Sequence, residues 1–288
     1  MASLRTGLRI APTTVAFFPA DRFPPDMSEP HWTDQLFLEH ADIFLRIHEA
    51  RLESAEVEAC SVAAILERGG IRPPARVLDA PCGIGRHDVH LGRLGYHVTG
   101  IDFAPAFLER ARRLAAEFDV ASEFVQGDLR AVQQAFRGRE GSFSAILNLW
   151  TSIGYWGEET DLDVLHQFYA LAADGGLLVV ETVNRDWLVR AFRPQGYDEW
   201  GDLVLIEERA FDLPTSWILG PWRFYTRRGD DLVHRATMSV DHRMYAGHEL
   251  KRLAAAAGWR VTDLFGNLAG DALSPERSRL VLVARKEG

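Results

Sequence analysis

The chain has 288 residues, of which 47% are hydrophobic and 25% charged, so it can bury a substantial core but is short for two large domains. Its formal net charge of −9 argues against a nucleic-acid partner, because duplex binding depends on Lys and Arg residues that neutralise phosphates. Its two cysteines give no disulfide framework, and no segment approaches the roughly 20 apolar residues that span a bilayer, which favours a cytoplasmic protein without a membrane segment.

The first seventy residues divide into two predicted segments. Residues 1–30 are rich in proline and show no periodicity, so we expect a flexible N-terminal arm. In residues 31–70, His40, Phe44 and Ile47 follow one another at helical spacings, and a glycine pair ends the pattern. This second segment is predicted to form a helical cap.

Residues 71–189 alternate between predicted strands and predicted helices. The strands are Ala75–Ala80, His97–Asp102, Glu123–Gly127, Phe143–Trp150 and Leu177–Val183. The helices between them are Arg86–Leu94, Pro105–Phe118 and Asp161–Ala173. Residues 246–288 return to this pattern with a helix, Gly247–Ala257, and two more strands, Trp259–Phe265 and Leu280–Ala284. The alternation predicts one doubly wound α/β domain with a mostly parallel sheet covered on both faces.

Between residues 190 and 245 the hydrophobic pattern changes to period two, which is typical of strands with one buried face. Two such runs, Trp217–Thr226 and Leu232–Val240, flank a polar turn that contains Gly229. This arrangement indicates a hairpin. We expect the segment to be an antiparallel β insertion lobe that acts as a substrate lid.

The turn after the first predicted strand carries the most informative motif, Val77–Arg86, with the sequence VLDAPCGIGR. Glycines at such a turn let the backbone approach a ligand and expose N–H groups at the start of a helix. Asp102 ends the next strand, where a carboxylate can accept from both hydroxyls of a ribose. Asp128 follows the third strand and can meet an adenine amino group. The motif and the carboxylates together predict an adenosine site.

Asp79, at the end of the first strand, discriminates between adenosine cofactors. A carboxylate at this position would repel a pyrophosphate, but it suits a sulfonium and the amino-acid part attached to it. The sequence therefore favours S-adenosylmethionine over NAD.

With these motifs, residues from about 74 to 286 resemble a class I S-adenosylmethionine-dependent methyltransferase. The matching blocks are Val77–Arg86, Val98–Ala104, Phe124–Leu129, Phe143–Trp150 and Ala173–Val183. The resemblance implies a Rossmann-like sheet of seven strands with the last one antiparallel. The sequence departs from the family pattern at Pro81, Ser144 and Asp174. Pro81 is typical of a subset whose loop reads Pro-Cys-Gly-x-Gly-Arg-His.

The resemblance also implies where the cofactor lies. Its methionine side would meet Asp79, Pro81, Gly83, Gly85 and His87. Its ribose and adenine would meet Asp102, Phe103, Asp128 and Leu129, and its reactive end would lie against Asn148 and Leu149.

The methyl acceptor should bind at the carboxyl ends of the strands, where open α/β sheets place their ligands. Tyr155, Asn184 and His234 are the candidates for catalytic roles; packing roles remain open for Tyr155 and His234, and a loop turn for Asn184. The candidate acceptor contacts are Trp32, Tyr155, Asn184, Arg185, Glu207, Arg209 and Trp222. For Glu207 and Arg209 the alternative is an ordinary salt bridge on one strand face.

These features predict an S-adenosylmethionine-dependent methyltransferase that transfers a methyl group to a small-molecule acceptor by in-line displacement. An RNA or protein methyltransferase remains an alternative, because arginines at 185, 190, 193, 209, 223, 227, 228 and 235 could form a basic face. A non-catalytic S-adenosylmethionine-binding module is the alternative from another class. No His or Cys cluster has metal-ligand spacing, so no metal is expected, and a homodimer is possible.

Overall fold

The computed structural model describes residues 31–288, so the predicted arm of residues 1–30 lies outside the described residues. The described chain begins with helices. They are α1 (Trp32–Asp34), a π-helical turn (Gln35–Glu39), α2 (Ala41–Glu49) and α3 (Leu52–Arg68). Of the predicted helical positions, Phe44 and Ile47 are buried on α2, whereas His40 is only partly buried at the end of the π-helical turn.

The alternating part of the chain follows. Its elements are β1 (Arg76–Asp79), α4 (Asp88–Arg93), β2 (His97–Asp102), α5 (Pro105–Glu117), β3 (Glu123–Gln126), a 3₁₀ turn (Leu129–Ala131), α6 (Val132–Ala135), β4 (Phe143–Asn148), α7 (Glu158–Leu171) and β5 (Ala172–Val183). The fifth strand starts five residues before the predicted Leu177. The chain passes Gly175 with a φ of +73°, which only glycine adopts easily, and stays within the sheet through an irregular register.

A short helix and five strands form the insertion. They are α8 (Arg185–Arg190), β6 (Gln195–Trp200), β7 (Leu203–Glu208), β8 (Ala210–Asp212), β9 (Trp217–Arg228) and β10 (Asp231–Arg243). The order β10-β9-β7-β6 is antiparallel throughout, and β8 pairs with β9. The predicted hairpin is therefore present, and its turn is the pair Gly229 and Asp230.

The chain closes with α9 (Gly247–Ala256), β11 (Trp259–Phe265) and β12 (Arg279–Lys286). The main sheet has seven strands in the order β11-β12-β5-β4-β1-β2-β3, with parallel pairs from β5 to β3. Strand β12 is antiparallel to both of its neighbours. This confirms the Rossmann-like α/β fold with a second, antiparallel sheet.

Hydrophobic clusters cover both faces of the main sheet. Ile146 and Leu178 pack on one face and Ala145 and Val179 on the other, which is why these strands are continuous apolar runs in the sequence. A third cluster joins the helical cap to the antiparallel sheet, for example through Phe44, Phe224 and Met238. The cap and the insertion therefore share one core.

Among residues 31–288, no helix combines the length and the apolar character needed to cross a membrane. The same residues contain no group of three or more His, Cys, Asp or Glu side chains arranged to hold a metal ion.

Candidate active site

A cleft of about 730 Å³, counting its open mouth, lies at the carboxyl ends of β1, β2 and β4. We call the polar side of this cleft the floor. It consists of Asp79, Pro81, Gly83, Asp102 and Leu129. We call the opposite side the roof. It consists of Phe37, Phe44 and His48 from the cap, and Trp150, Tyr155 and Trp156 from the segment after β4.

The glycine turn of the floor has little room for any other residue. Gly83 has a φ of +56°, and a Cβ there would lie 2.7 Å from Cε1 of His48. Gly85 has a φ of +69°, and a Cβ there would lie 2.9 Å from the ring of Phe124. The first glycine therefore lets the roof approach the loop, and the second lets the loop pack on the sheet.

Asp102 connects two parts of the floor. Its carboxylate accepts hydrogen bonds from the backbone N–H groups of Gly83 and Ala104, each at 2.9 Å. The side chain is buried, and burial raises the pKa of Asp102 to about 6 despite these hydrogen bonds. Asp102 thus holds the glycine turn against the end of β2 while it faces the cleft.

Asp79 is the second buried carboxyl group of the floor. It is 1% exposed, and its Oδ1 atom has no hydrogen-bond partner among the described residues. Burial raises the pKa of Asp79 to about 7, although Asp88 and Arg86 act in the opposite direction. A buried oxygen without a partner fits a ligand that brings a positive charge or a donor.

Charged side chains join the cap to the end of the glycine turn. Oε2 of Glu58 on α3 accepts hydrogen bonds from Nη1 of Arg86 and from Nε2 of His87. Burial would raise the pKa of Glu58, but hydrogen bonds from His87 and Ser54 and the charge of Arg86 hold it well below its usual range. The Nη2 atom of Arg86 is buried and has no partner in the described chain. This guanidinium therefore has a free donor for an anionic group at the cleft.

His48 lies in the roof directly above Gly83. Its ring is 4.9 to 5.1 Å from the rings of Phe44, Phe107 and Trp150. Burial, followed by the charges of nearby arginines, lowers the pKa of His48 to about 3. The imidazole is therefore neutral at physiological pH, and its buried Nδ1 atom has no partner among the described residues.

Tyr155 lies farther along the roof, with its ring 4.9 Å from Trp32 and 5.1 Å from His242. Burial raises the pKa of Tyr155, so its hydroxyl stays protonated and can donate a hydrogen bond. Two buried side chains hold the backbone of the segment that carries Tyr155. Nε2 of His242 donates to the carbonyl of Ile153 at 2.8 Å, and Asp161 accepts from the backbone N–H of Gly154.

The structure brings nine of the predicted site residues to the cleft. They are Asp79, Pro81, Gly83, His87, Asp102, Phe103, Leu129, Leu149 and Tyr155. Three predicted cofactor residues lie just outside it. Gly85 packs against Phe124, Asp128 is turned towards Arg130, and Asn148 donates from Nδ2 to the carbonyl of Ala80 at 2.7 Å.

Asn184 and His234 do not line the cleft, so the cleft gives their predicted catalytic roles no support. Asn184 caps α8 by accepting from the N–H of Asp186, and its Nδ2 donates to two backbone carbonyls. His234 lies on the exposed side of β10, with Nε2 2.8 Å from the hydroxyl of Thr237. A register shift between His234 and Ala236 takes the histidine off the face that strict alternation assigned to it.

The predicted acceptor contacts other than Tyr155 also lie outside the cleft lining, so their assignment stays a prediction. Arg185 donates to the hydroxyl of Ser216, and Trp222 packs against Phe224 within the insertion. Glu207 and Arg209 form the salt bridge that their spacing allowed. Trp32 packs against Tyr155.

The sequence analysis missed several residues of the cleft, above all His48, Trp150 and Ser152. For His48 a signal existed. Phe44 and His48 are four residues apart on one helix, and Phe37 lies seven residues before Phe44, so the three share a face. No comparable pattern marks Trp150, which has a φ of +59° in a turn held by Glu181.

Comparison with known proteins agrees with this geometry. A methyltransferase domain matches residues 77–176. The glycine/sarcosine N-methyltransferase of Aphanothece halophytica is 30% identical over 215 residues, which cover 74% of this chain and 76% of that protein. A ubiquinone biosynthesis O-methyltransferase of Xanthomonas campestris is 32% identical over 157 residues, covering 50% of this chain and 62% of that protein.

The fold has solved counterparts as well. The crystal structure of an S-adenosylmethionine-dependent methyltransferase from Clostridium acetobutylicum superposes with a TM-score of 0.71 at 12% identity, covering 87% of this chain and 98% of that one. The chain therefore belongs to the class I S-adenosylmethionine-dependent methyltransferases. It is an enzyme, and its cofactor is S-adenosylmethionine. Membership in the subset with the Pro-Cys-Gly loop stays a prediction.

Proposed function

We propose that the enzyme methylates a small organic molecule held between the floor and the roof. The observation that carries this proposal is the close contact between His48 and Gly83, which brings the cap directly onto the glycine turn. The cleft is lined by aromatic rings and a few buried polar groups, which is the usual character of a small-molecule site.

The floor residues fit the cofactor by their unpaired groups. Oδ1 of Asp79 suits the cationic ammonium end, and Nη2 of Arg86 suits the carboxylate of the same amino-acid part. Asp102 would accept from the ribose, and Phe103 and Leu129 would flank the adenine. S-adenosylmethionine supplies an electrophilic methyl group on a sulfonium, and the sulfur keeps the electron pair when the methyl group leaves.

The roof residues would act mainly by alignment. His48 is neutral, so it can accept a hydrogen bond from an N–H or O–H group, but a pKa of about 3 makes it a weak base. Tyr155 can donate to the acceptor through its protonated hydroxyl. The aromatic rings exclude water and fix the angle of attack, which are the main requirements of an in-line displacement.

A small acceptor is favoured over RNA because most of the arginines that could form a basic face are in ion pairs. Six of the eight positions that left a basic face open are in ion pairs: Arg185, Arg190, Arg209, Arg223, Arg227 and Arg235. Their charges are therefore partly neutralised within the protein. The names of both curated relatives above refer to small molecules, which supports the same choice. A cytoplasmic location and a homodimer stay predictions.

The first test is a thermal-shift series with S-adenosylmethionine, S-adenosylhomocysteine, NAD and NADP. A ligand at 100 times its Kd adds about 2.7 kcal/mol, which corresponds to about 5–10 °C at this size. We expect a shift with the two adenosyl compounds alone.

Labelled methyl transfer to pools of small amines, phenols and carboxylic acids, compared with tRNA and with protein extract, then identifies the acceptor class. Transfer to tRNA that decreases steeply with salt, without transfer to any small molecule, would contradict the proposal.

A further inference from the structure

Behind Asp79 lies a second carboxyl group that the proposed function does not use. Asp88 is the first residue of α4 and is 0% exposed. Neither of its carboxyl oxygens receives an N–H or O–H donor from residues 31–288 outside the pair it forms with Asp79. The surroundings are tight, because a Cβ on Gly100 would lie 2.9 Å from Oδ2 of Asp88 and 2.8 Å from Sγ of Cys82.

Asp79 pairs with Gly100 in the β1–β2 ladder, and a Cβ on Gly100 would lie 2.9 Å from Oδ2 of Asp88, so the two carboxyl groups are close neighbours that interact directly. Two buried carboxylates this close cannot both carry a charge, so the pair keeps one proton. Burial and the charge of Asp79 raise the pKa of Asp88 well above its usual range. Asp79 faces the charge of Arg86, and its pKa is raised only to about 7. The proton therefore resides on Asp88.

Other titratable groups also face this pair. Cys82 in the glycine turn is a buried thiol whose pKa burial and the neighbouring carboxyl groups raise well above its usual value, so it stays neutral. Asp102 at the end of β2 adds a negative charge, which raises the pKa of Asp79. Arg86 is the cation that acts on Asp79.

We propose that Asp88 is a positioning residue, which as a neutral acid donates its O–H to Asp79 and keeps the Asp79 carboxylate charged and aimed at the cationic end of the cofactor. This inference rests on the cofactor contact proposed above for Asp79. It assigns a role to a residue that touches neither the cofactor nor the acceptor.

The arrangement makes cofactor binding depend on pH. Asp79 has to be deprotonated to meet a cation, so affinity falls as the pH drops through about 7, and binding below that pH releases a proton. Because one pH unit below the pKa leaves about a tenth of the groups charged, we expect affinity at pH 6 to be about tenfold below its plateau. We call the pH range in which affinity falls the acid limb. Removing the hydrogen bond from Asp88 raises the pKa of Asp79 further and moves the acid limb to higher pH.

The experiment is calorimetric titration of the full chain with S-adenosylmethionine and S-adenosylhomocysteine from pH 5.5 to 8.5. The proteins are the wild type, Asp88→Asn, Asp88→Ala and, as a control, Thr182→Val. Thr182 is buried with an unpartnered hydroxyl but lies outside the cleft lining. The amino group of the ligand titrates equally with each protein, so differences between variants report the protein alone.

We expect Asp88→Ala to shift the acid limb upward by about one pH unit, which lowers affinity at pH 7 by about fivefold and leaves affinity at pH 8.5 nearly unchanged. Asp88→Asn keeps an N–H donor towards Asp79 and should retain the wild-type limb. Thr182→Val should do the same. Titrations of the wild type in buffers with different ionisation enthalpies should show release of nearly one proton at pH 6.

Loss of affinity by the same factor at every pH in Asp88→Ala would indicate a purely structural role and overturn the inference. An acid limb that does not shift in Asp88→Ala would also overturn the inference. A wild-type protein that releases no proton at pH 6 would overturn it as well, and this result does not depend on the folding of any variant. Absence of cofactor binding by the wild type at every pH would overturn the proposed function and this inference with it.

Discussion

The floor and the roof of the cleft are held in place by different kinds of interaction. Asp79, Gly83 and Asp102 of the floor are fixed by strand ends and backbone hydrogen bonds. The roof is made of aromatic side chains from two distant segments, such as Phe37 and Tyr155, which contact one another through their rings. The floor therefore rests on backbone contacts between neighbouring strand ends, whereas the roof depends on ring contacts between segments far apart in the chain.

This difference implies that the floor and the roof have separate roles in binding. Changes in the floor should alter cofactor affinity, because its buried polar groups have few alternatives to the ligand. Changes in the roof should alter the use of the acceptor and leave cofactor affinity close to normal. The following variants test that division, beginning with the one place where floor and roof meet.

Gly83→Ala should have the largest effect. The new Cβ would clash with His48, and a non-glycine residue at a φ of +56° adds a backbone cost, so we expect about 2–4 kcal/mol less free energy of unfolding. Gly138→Ala is the matched control, because Gly138 has a φ of +84° in open space and carries only the backbone cost of about 1–2 kcal/mol. Denaturant unfolding measures both.

The double variant Gly83→Ala with His48→Ala separates the two causes. It should be less destabilised than the sum of its single variants, since the clash disappears. If the losses in free energy of unfolding of the two single variants simply add up in the double variant, the floor and the roof do not touch at this point.

Asp102→Ala should weaken binding of S-adenosylmethionine and S-adenosylhomocysteine by about 1–3 kcal/mol, or about five- to 150-fold in Kd. The side chain would lose its ribose contact and also its hold on the N–H of Gly83. Asp102→Asn keeps one acceptor oxygen and should lose less. Calorimetry gives the Kd values, and an unchanged Kd in Asp102→Ala would remove the ribose assignment.

Tyr155→Phe should lower kcat/KM for the acceptor by about two- to tenfold, the usual worth of one neutral hydrogen bond. The Kd of the cofactor should not change, because the roof keeps its ring. Tyr197→Phe on the exposed face of β6 is the control and should leave both quantities unchanged. A tenfold weaker cofactor affinity in Tyr155→Phe would contradict the division between floor and roof.

Arg235→Ala should have the smallest effect. Arg235 and Asp42 form a 2.8 Å ion pair between β10 and the cap, but both side chains are largely exposed. A double-mutant cycle on unfolding should give a coupling of about 0.2–1 kcal/mol that decreases with salt, and cofactor affinity should be unaffected. A larger coupling would mean that surface charge, and not the aromatic cluster, holds the cap.

The floor could be predicted largely because its signals are local. Asp102 ends a strand in the sequence pattern and in the structure, and the glycine turn lies where β1 is followed by α4. Where the cleft does not support a predicted role, the side chain is engaged elsewhere in the protein. Asn184 has the residue type of a catalytic group, but its amide caps α8 and holds the chain near Ser274.

By itself, the sequence determined the alternation of strands and helices, the hairpin and the glycine turn with its carboxyl groups. These features follow from hydrophobic periods of 2 and 3.6 and from backbone angles that glycine alone adopts easily, both of which act over a few residues. Only the tertiary structure decided that His48 lies on Gly83, that Asp88 faces Asp79 and that a register shift places His234 on the exposed side of β10. The first outcome depends on packing between segments far apart in the chain, and the other two depend on the exact path of a turn and of a β-bulge, which hydrophobic periodicity does not encode.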